Sequence, residues 1–163
     1  MRTLTLPKES APLAVAASEV ETMNRANRLV HAVLDAVRGV AKPGVSTAEL
    51  DDVAERMILE GGGQPAFKGY RGFPATLCVS LNDVIVHGIP SRSVRLSNGD
   101  LVSVDCGVQL DGYNSDMTRT VAAGRPGAEQ ARMYEAVRLA QAASLQIGGR
   151  EKRDVLAQRL LRE

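Results

Sequence analysis

The stretch LVSVDCGVQLDGYNSDMTRTVAAG, from Leu101 to Gly124, is β-branched and near-alternating on both sides of Asp111-Gly112. An Asp-Gly pair between two such runs is a strong short-range signal for a two-residue hairpin turn. That turn pairs Leu110 with Tyr113, and pairing runs outward to set Asp105 opposite Thr118 and Gly107 opposite Asp116. Because successive side chains of a strand point to opposite faces, Ser103, Asp105 and Gly107 share a face with Asn114, Asp116 and Thr118. Val102, Val104 and Cys106 take the reverse face with Tyr113, Met117 and Val121. Asp105 and Asp116 are then diagonal neighbours, with Cβ atoms ~7 Å apart.

Two carboxylates that close, on a largely buried sheet, repel each other and lose hydration, and both effects raise carboxyl pKa values. A divalent cation between them removes that cost, and the spacing suits a dinuclear site with metals ~3.5–4 Å apart. Oxygen ligation is compatible with Mn, Fe, Co or Zn. The hairpin alone leaves a second reading open, in which the pair faces solvent and is neutralised by Arg119 or water.

The rest of the chain supplies helices to back this sheet. Residues 1–17 are small and unpatterned, an N-terminal arm. Ser18 and Glu21 form a capping-box pair, and Met23, Ala26, Val30, Val33 and Val37 recur at helical spacing up to Gly39. A second box, Ser46 to Glu49, precedes Leu50, Val53, Met57 and Ile58, ending at Gly61-Gly62-Gly63. LCVSLNDVIVHGIP, residues 77–90, reads as a further antiparallel strand segment before the turn Ser97-Asn98-Gly99-Asp100. A third helix is predicted from Ala128 to Gln146, with Met133, Val137 and Ala140 on one face. The fold class is α+β, an antiparallel sheet with helices on one face.

Composition narrows the function classes. Across 163 residues, 20 Lys and Arg balance 19 Asp and Glu for a net charge of +1, so no broad basic field draws nucleic acid or an anionic membrane. No run approaches the ~18 apolar residues of a membrane span and no leader pattern is apparent, so the chain reads as cytoplasmic. Cys78 and Cys106 sit in apolar strand-like runs and read as buried free thiols.

Beyond the hairpin, an ordered series of motifs stands out: Gly69-Tyr70-Arg71-Gly72-Phe73-Pro74, Cys78-Val79-Ser80-Leu81-Asn82, His87-Gly88-Ile89-Pro90, Asn98-Gly99-Asp100, Val104-Asp105 and Asp116. In order and spacing this series resembles type I methionine aminopeptidase, over residues 18–147. The resemblance implies the first half of a pita-bread fold, in which two pseudo-symmetric αβ halves enclose the metal site. It implies Asp105 as a chelating ligand of one of two divalent metals and Asp116 as the bridge between both. His87 would contact the peptide near the scissile bond and stabilise charge developing there. Tyr70, Phe73 and Cys78 match positions lining the pocket for the methionine side chain. Peptides with an N-terminal Met on nascent chains are the implied substrates, with ribosome association or self-association as further partner expectations.

Two departures qualify the resemblance. Asp111 to Thr120 leans towards the related Xaa-Pro peptidases. The family's full site also takes a His and two Glu from its second half, and residues 148–163, a divergent Gly- and Arg-rich tail, do not match them. The two histidines of the chain are His31 and His87, and His31 reads as a surface or boundary residue. The general acid/base Glu is therefore not assigned, and with two of five ligands the chain is expected to bind metal weakly and to be inactive alone, whether by frameshift or by genuine truncation. A rival reading is a non-catalytic half-domain that works as an interaction or dimerisation module.

Overall fold

The computed structural model describes residues 16–146. The arm and tail expectations fall almost wholly on residues 1–15 and 147–163 and lie outside the described residues. The elements are α1 (Ala17–Val40), α2 (Thr47–Glu60), β1 (Gln64–Pro65), β2 (Leu77–Leu81), β3 (Leu101–Leu110), β4 (Tyr113–Ala122) and α3 (Ala128–Gln146).

β3 is the spine of a four-stranded antiparallel sheet. β4 pairs along its whole length, from Leu101 with Ala122 to Leu110 with Tyr113, in the register that the Asp-Gly turn dictates. β2 and the short β1 lie end to end on the other edge, pairing Cys78 with Asp105 and Gln64 with Gln109. Val102, Val104, Cys106 and Val108 of β3, with Leu77 and Val79 of β2, point away from the carboxylates. There they meet Val30, Val33, Leu34 and Val37 of α1 and Leu50, Ala54 and Ile58 of α2 in one core. Each buried Val, Leu or Ile gains about 1.5–3 kcal/mol by leaving water, so the sheet's reverse face holds the layers together and its front face is left outside the core.

α2 begins as its sequence demands: Glu49 N donates to Ser46 Oγ at 3.3 Å, and the Glu49 carboxylate accepts from Ser46 N at 2.8 Å. α1 differs from expectation. It starts before Ser18, because the Glu19 carboxylate reaches back to accept from Ala16 N at 2.7 Å, while Glu21 pairs with Arg28 instead. Its buried stripe takes in Leu34 and leaves Met23 41% exposed.

The strand expected over residues 77–90 ends at Leu81. Asn82 turns to φ 51°, its side chain bonding Asp100 and Leu101 N, and Val86 and His87 are also left-handed at φ 49° and 54°. Three positive-φ residues cannot continue a pleated strand, so Val84, Ile85 and Val86 are exposed despite their β propensity. α3 spans the expected residues, yet Met133 and Val137 on its apolar face are exposed. No helix among the described residues is long and apolar enough to cross a membrane.

Candidate metal centre

Asp105, on the spine strand, and Asp116, on its neighbour, occupy the same front face, Asp116 standing opposite Gly107 and Asp105 opposite Thr118. Burial pushes the Asp116 carboxyl above the usual carboxylate range, and the charge of Asp105 and the hydrogen bond the two groups share push it further. Thr118 Oγ1 donates to Asp105 Oδ1 at 2.7 Å, which holds that carboxylate in place. Arg119 does not neutralise the pair: it lies on the reverse face and binds Asp35 of α1 at 2.6 Å, with His31 beside them. His31 is thus a boundary residue between α1 and β4.

The walls come from two loops. Asp51 of α2 accepts from Thr76 N at 3.0 Å and Leu77 N at 2.7 Å, which anchors the start of β2 and brings Cys78 directly beside Asp105. The Cys78 thiol is pushed up to about 11, mainly by burial and then by the charges of Asp105, Asp116 and Asp51, so it stays a neutral lining group rather than a nucleophile. Cys106 lies on the opposite face, and both are free thiols. The loop carrying His87 is pinned to β2 by Gly88, whose carbonyl accepts from Val79 N at 2.8 Å. A Cβ at Gly88 would stand 2.1 Å from Val79 O, so only glycine permits this approach.

The result is an open cavity of about 540 Å³ lined by Asp105, Asp116, Cys78, His87, Tyr70 and Phe73. All six residues singled out in the sequence come together there. Phe67, Arg71 and Ile89 line it as well and were not foreseen. Phe67 had a readable signal: Gly107 lies between the two acids, and a Cβ there would meet Phe67 Cε1 at 2.6 Å, so the missing side chain makes room for the ring. Thr118 had one too, in its pairing with Asp105.

The donor set suits a divalent metal ion in kind: two crowded carboxylates, Asp105 half-buried and Asp116 exposed to the open cavity, the latter raised in pKa, lower their electrostatic cost by sharing a cation. It is a partial set. Among the described residues no group of three or more His, Cys, Asp or Glu side chains stands placed to hold a metal ion.

A carboxylate pair on the front of an antiparallel sheet, with helices packed behind, defines a half of a metallopeptidase of the pita-bread class. The chain belongs to metallopeptidase family M24, whose model matches residues 21–151. Within it, the chain is 45% identical over 118 residues to the methionine aminopeptidase of Clostridium acetobutylicum, covering 72% of this chain and 47% of that protein. It superposes on the crystal structure of methionine aminopeptidase from Thermotoga maritima with a TM-score of 0.77 at 30% identity, over 80% of this chain and 52% of the other. Prolidase from Pyrococcus furiosus matches at a TM-score of 0.69 and 27% identity, over 79% of this chain and 36% of that one. The chain spans about half the length of the curated relatives it matches.

Proposed function

We propose that these residues form the substrate-side half of a site for metal-dependent removal of the N-terminal methionine from nascent proteins. The observation that carries this reading is the shared cavity, in which two carboxylates sit beside a lining of Tyr70, Phe73 and Cys78. An unbranched thioether side chain fits against aromatic rings and a neutral thiol. Asp105 and Asp116 would hold the metal together with donors that the described residues do not include. When bound, a divalent metal pair supplies Lewis acidity and an activated water at neutral pH, and oxygen donors suit Mn, Fe, Co or Zn. His87, which lines the same cavity, would donate a hydrogen bond to a peptide carbonyl as negative charge develops there. The Asp pair would attract the cationic amino terminus, and Tyr70 and Phe73 would pack against the first side chain. Nascent chains as substrates place this work in the cytoplasm, near the ribosome.

The test is binding, followed through the ring resonances of Tyr70, Phe73 and His87 in the 163-residue chain. Met-Ala-Ser should shift these signals at lower concentration than Gly-Ala-Ser or Ala-Pro. Equal responses to all three peptides would sink the methionine reading, and a preference for Ala-Pro would favour the Xaa-Pro reading that the prolidase likeness supports. Incubated with Mn or Co, the chain alone should release no Met from Met-Ala-Ser. Release that is lost in Asp105→Ala or Asp116→Ala would show the half-site to be sufficient.

A further inference from the structure

Among the described residues Arg71 carries a charge that no carboxylate neutralises. It sits in the short 3-10 turn Tyr70–Gly72 at φ 49° and ψ 30°, a left-handed conformation that a side chain with a Cβ adopts at a cost. Glycine or asparagine would take that position with less strain. The turn is closed on both sides by backbone bonds, Gly69 N to Phe73 O at 2.8 Å and Phe73 N to Tyr70 O at 3.0 Å, so the conformation is imposed rather than sampled. A strained residue persists where its surroundings over-determine it, and such residues gather at ligand sites.

The guanidinium lies over the Tyr70 ring, 5.5 Å from its centroid, and makes no ion pair among the described residues. Its neighbour Lys68 is occupied by Glu55 at 2.5 Å. Among the described residues lining the cavity, Arg71 is the one Lys or Arg, and the acids in that cavity are Asp105 and Asp116. The cavity lining therefore carries charge of both signs, two carboxylates and one guanidinium. Stacking on Tyr70 leaves the planar fork of N–H donors free at its edge, a geometry that matches a carboxylate.

We propose that Arg71 is a specificity-determining residue that receives a carboxylate carried a residue or two downstream of the peptide's amino-terminal residue. The carboxylate comes either from an acidic side chain or from the carboxy terminus of a short peptide. This inference rests on the reading of the cavity as a peptide site. An amino terminus drawn to Asp105 and Asp116 leaves the chain running towards the Tyr70–Gly72 turn, and the guanidinium there offsets the repulsion that the two aspartates exert on a second anion.

The test uses the 163-residue chain, four peptides in two pairs and Gly-Ala-Asn amide as a control, titrated against the Tyr70 and His87 ring resonances. Met-Ala-Asp amide against Met-Ala-Asn amide isolates the side-chain source, and Met-Ala against Met-Ala amide isolates the terminal one. In the wild-type chain the anionic member of at least one pair should bind about three- to five-fold more tightly, the scale of a solvent-exposed charge pair. In Arg71→Gln that preference should fall to one or reverse, and Arg71→Lys should restore part of it. An unchanged preference in Arg71→Gln, or none in the wild type, overturns the proposal while leaving the methionine site intact. If Met-Ala-Asn amide binds no better than Gly-Ala-Asn amide, the peptide-site reading fails and this inference fails with it.

Discussion

Thr118 stands directly across from Asp105 on the neighbouring strand and donates its hydroxyl to Asp105 Oδ1 at 2.7 Å. The bond occupies one lone pair of Asp105 and restrains its rotamer, so in the proposed metal site the other oxygen would be aimed before any ion arrives. Such supporting donors are worth roughly 10- to 100-fold in metal affinity where the donor set is complete. In the partial set here, Thr118→Val should weaken Mn binding by about ten-fold, read from water-proton relaxation at millimolar metal, with Thr118→Ser close to wild type. Equal affinity in Thr118→Val would mean that the hydroxyl only fills space.

Asp116 links pH to stability. Its carboxyl is raised by burial and by Asp105, so between its unfolded and folded pKa values the folded chain holds the extra proton. Folding stability therefore falls as pH rises through that window, and the cost is fully present at neutral pH. Because the side chain is partly solvated, the effect is small, on the order of 0.5 kcal/mol after screening. Asp116→Asn should melt about 2 °C higher than wild type at pH 7 and lose that advantage below the ordinary carboxylate range. Millimolar Mn should stabilise the wild type alone. Thermal melts at several pH values check both arms, and a variant less stable at pH 7 would contradict the argument.

Gly107 is the space into which Phe67 packs. A methyl there would meet Phe67 Cε1 at 2.6 Å and Ala66 Cβ at 3.0 Å. Gly107→Ala should cost about 1–3 kcal/mol in urea unfolding and weaken Met-Ala-Ser binding, because the displaced ring enters the cavity. Phe67→Leu in the same chain should recover part of the stability, whereas no recovery would place the strain elsewhere.

The parts of this molecule that were legible in the sequence are those governed by local periodicity. The Asp-Gly turn fixes the pairing of Asp105 with Thr118 without any tertiary information, and Ser46 with Glu49 marks the start of α2. What escaped was set by contacts distant in sequence or by unusual backbone. Val84-Ile85-Val86 has strand composition, but the bond from Asn82 to Asp100 and the return of Gly88 to β2 override it. Glu19 outcompetes the Ser18 box because its carboxylate also accepts a hydrogen bond from Tyr113 Oη, on a strand far along the chain. Arg71 belongs to no periodic pattern, and only the fold brings it into the lining of the cavity that Asp105 and Asp116 share.

The reverse face of β4 is stitched to α1 at intervals. Tyr113 Oη donates to Glu19, Ser115 Oγ to Asn27 and Arg119 Nη1 to Asp35, so strand residues of one face, two and then four apart, meet helix residues eight apart. A strand slipped by one residue would present Ser115 or Met117 where Asp116 belongs, and every rung would break at once. The helix therefore acts as a proofreading ruler for the hairpin: the direction in which Asp116 points is guarded by side chains on the far side of the sheet, away from the cavity it lines.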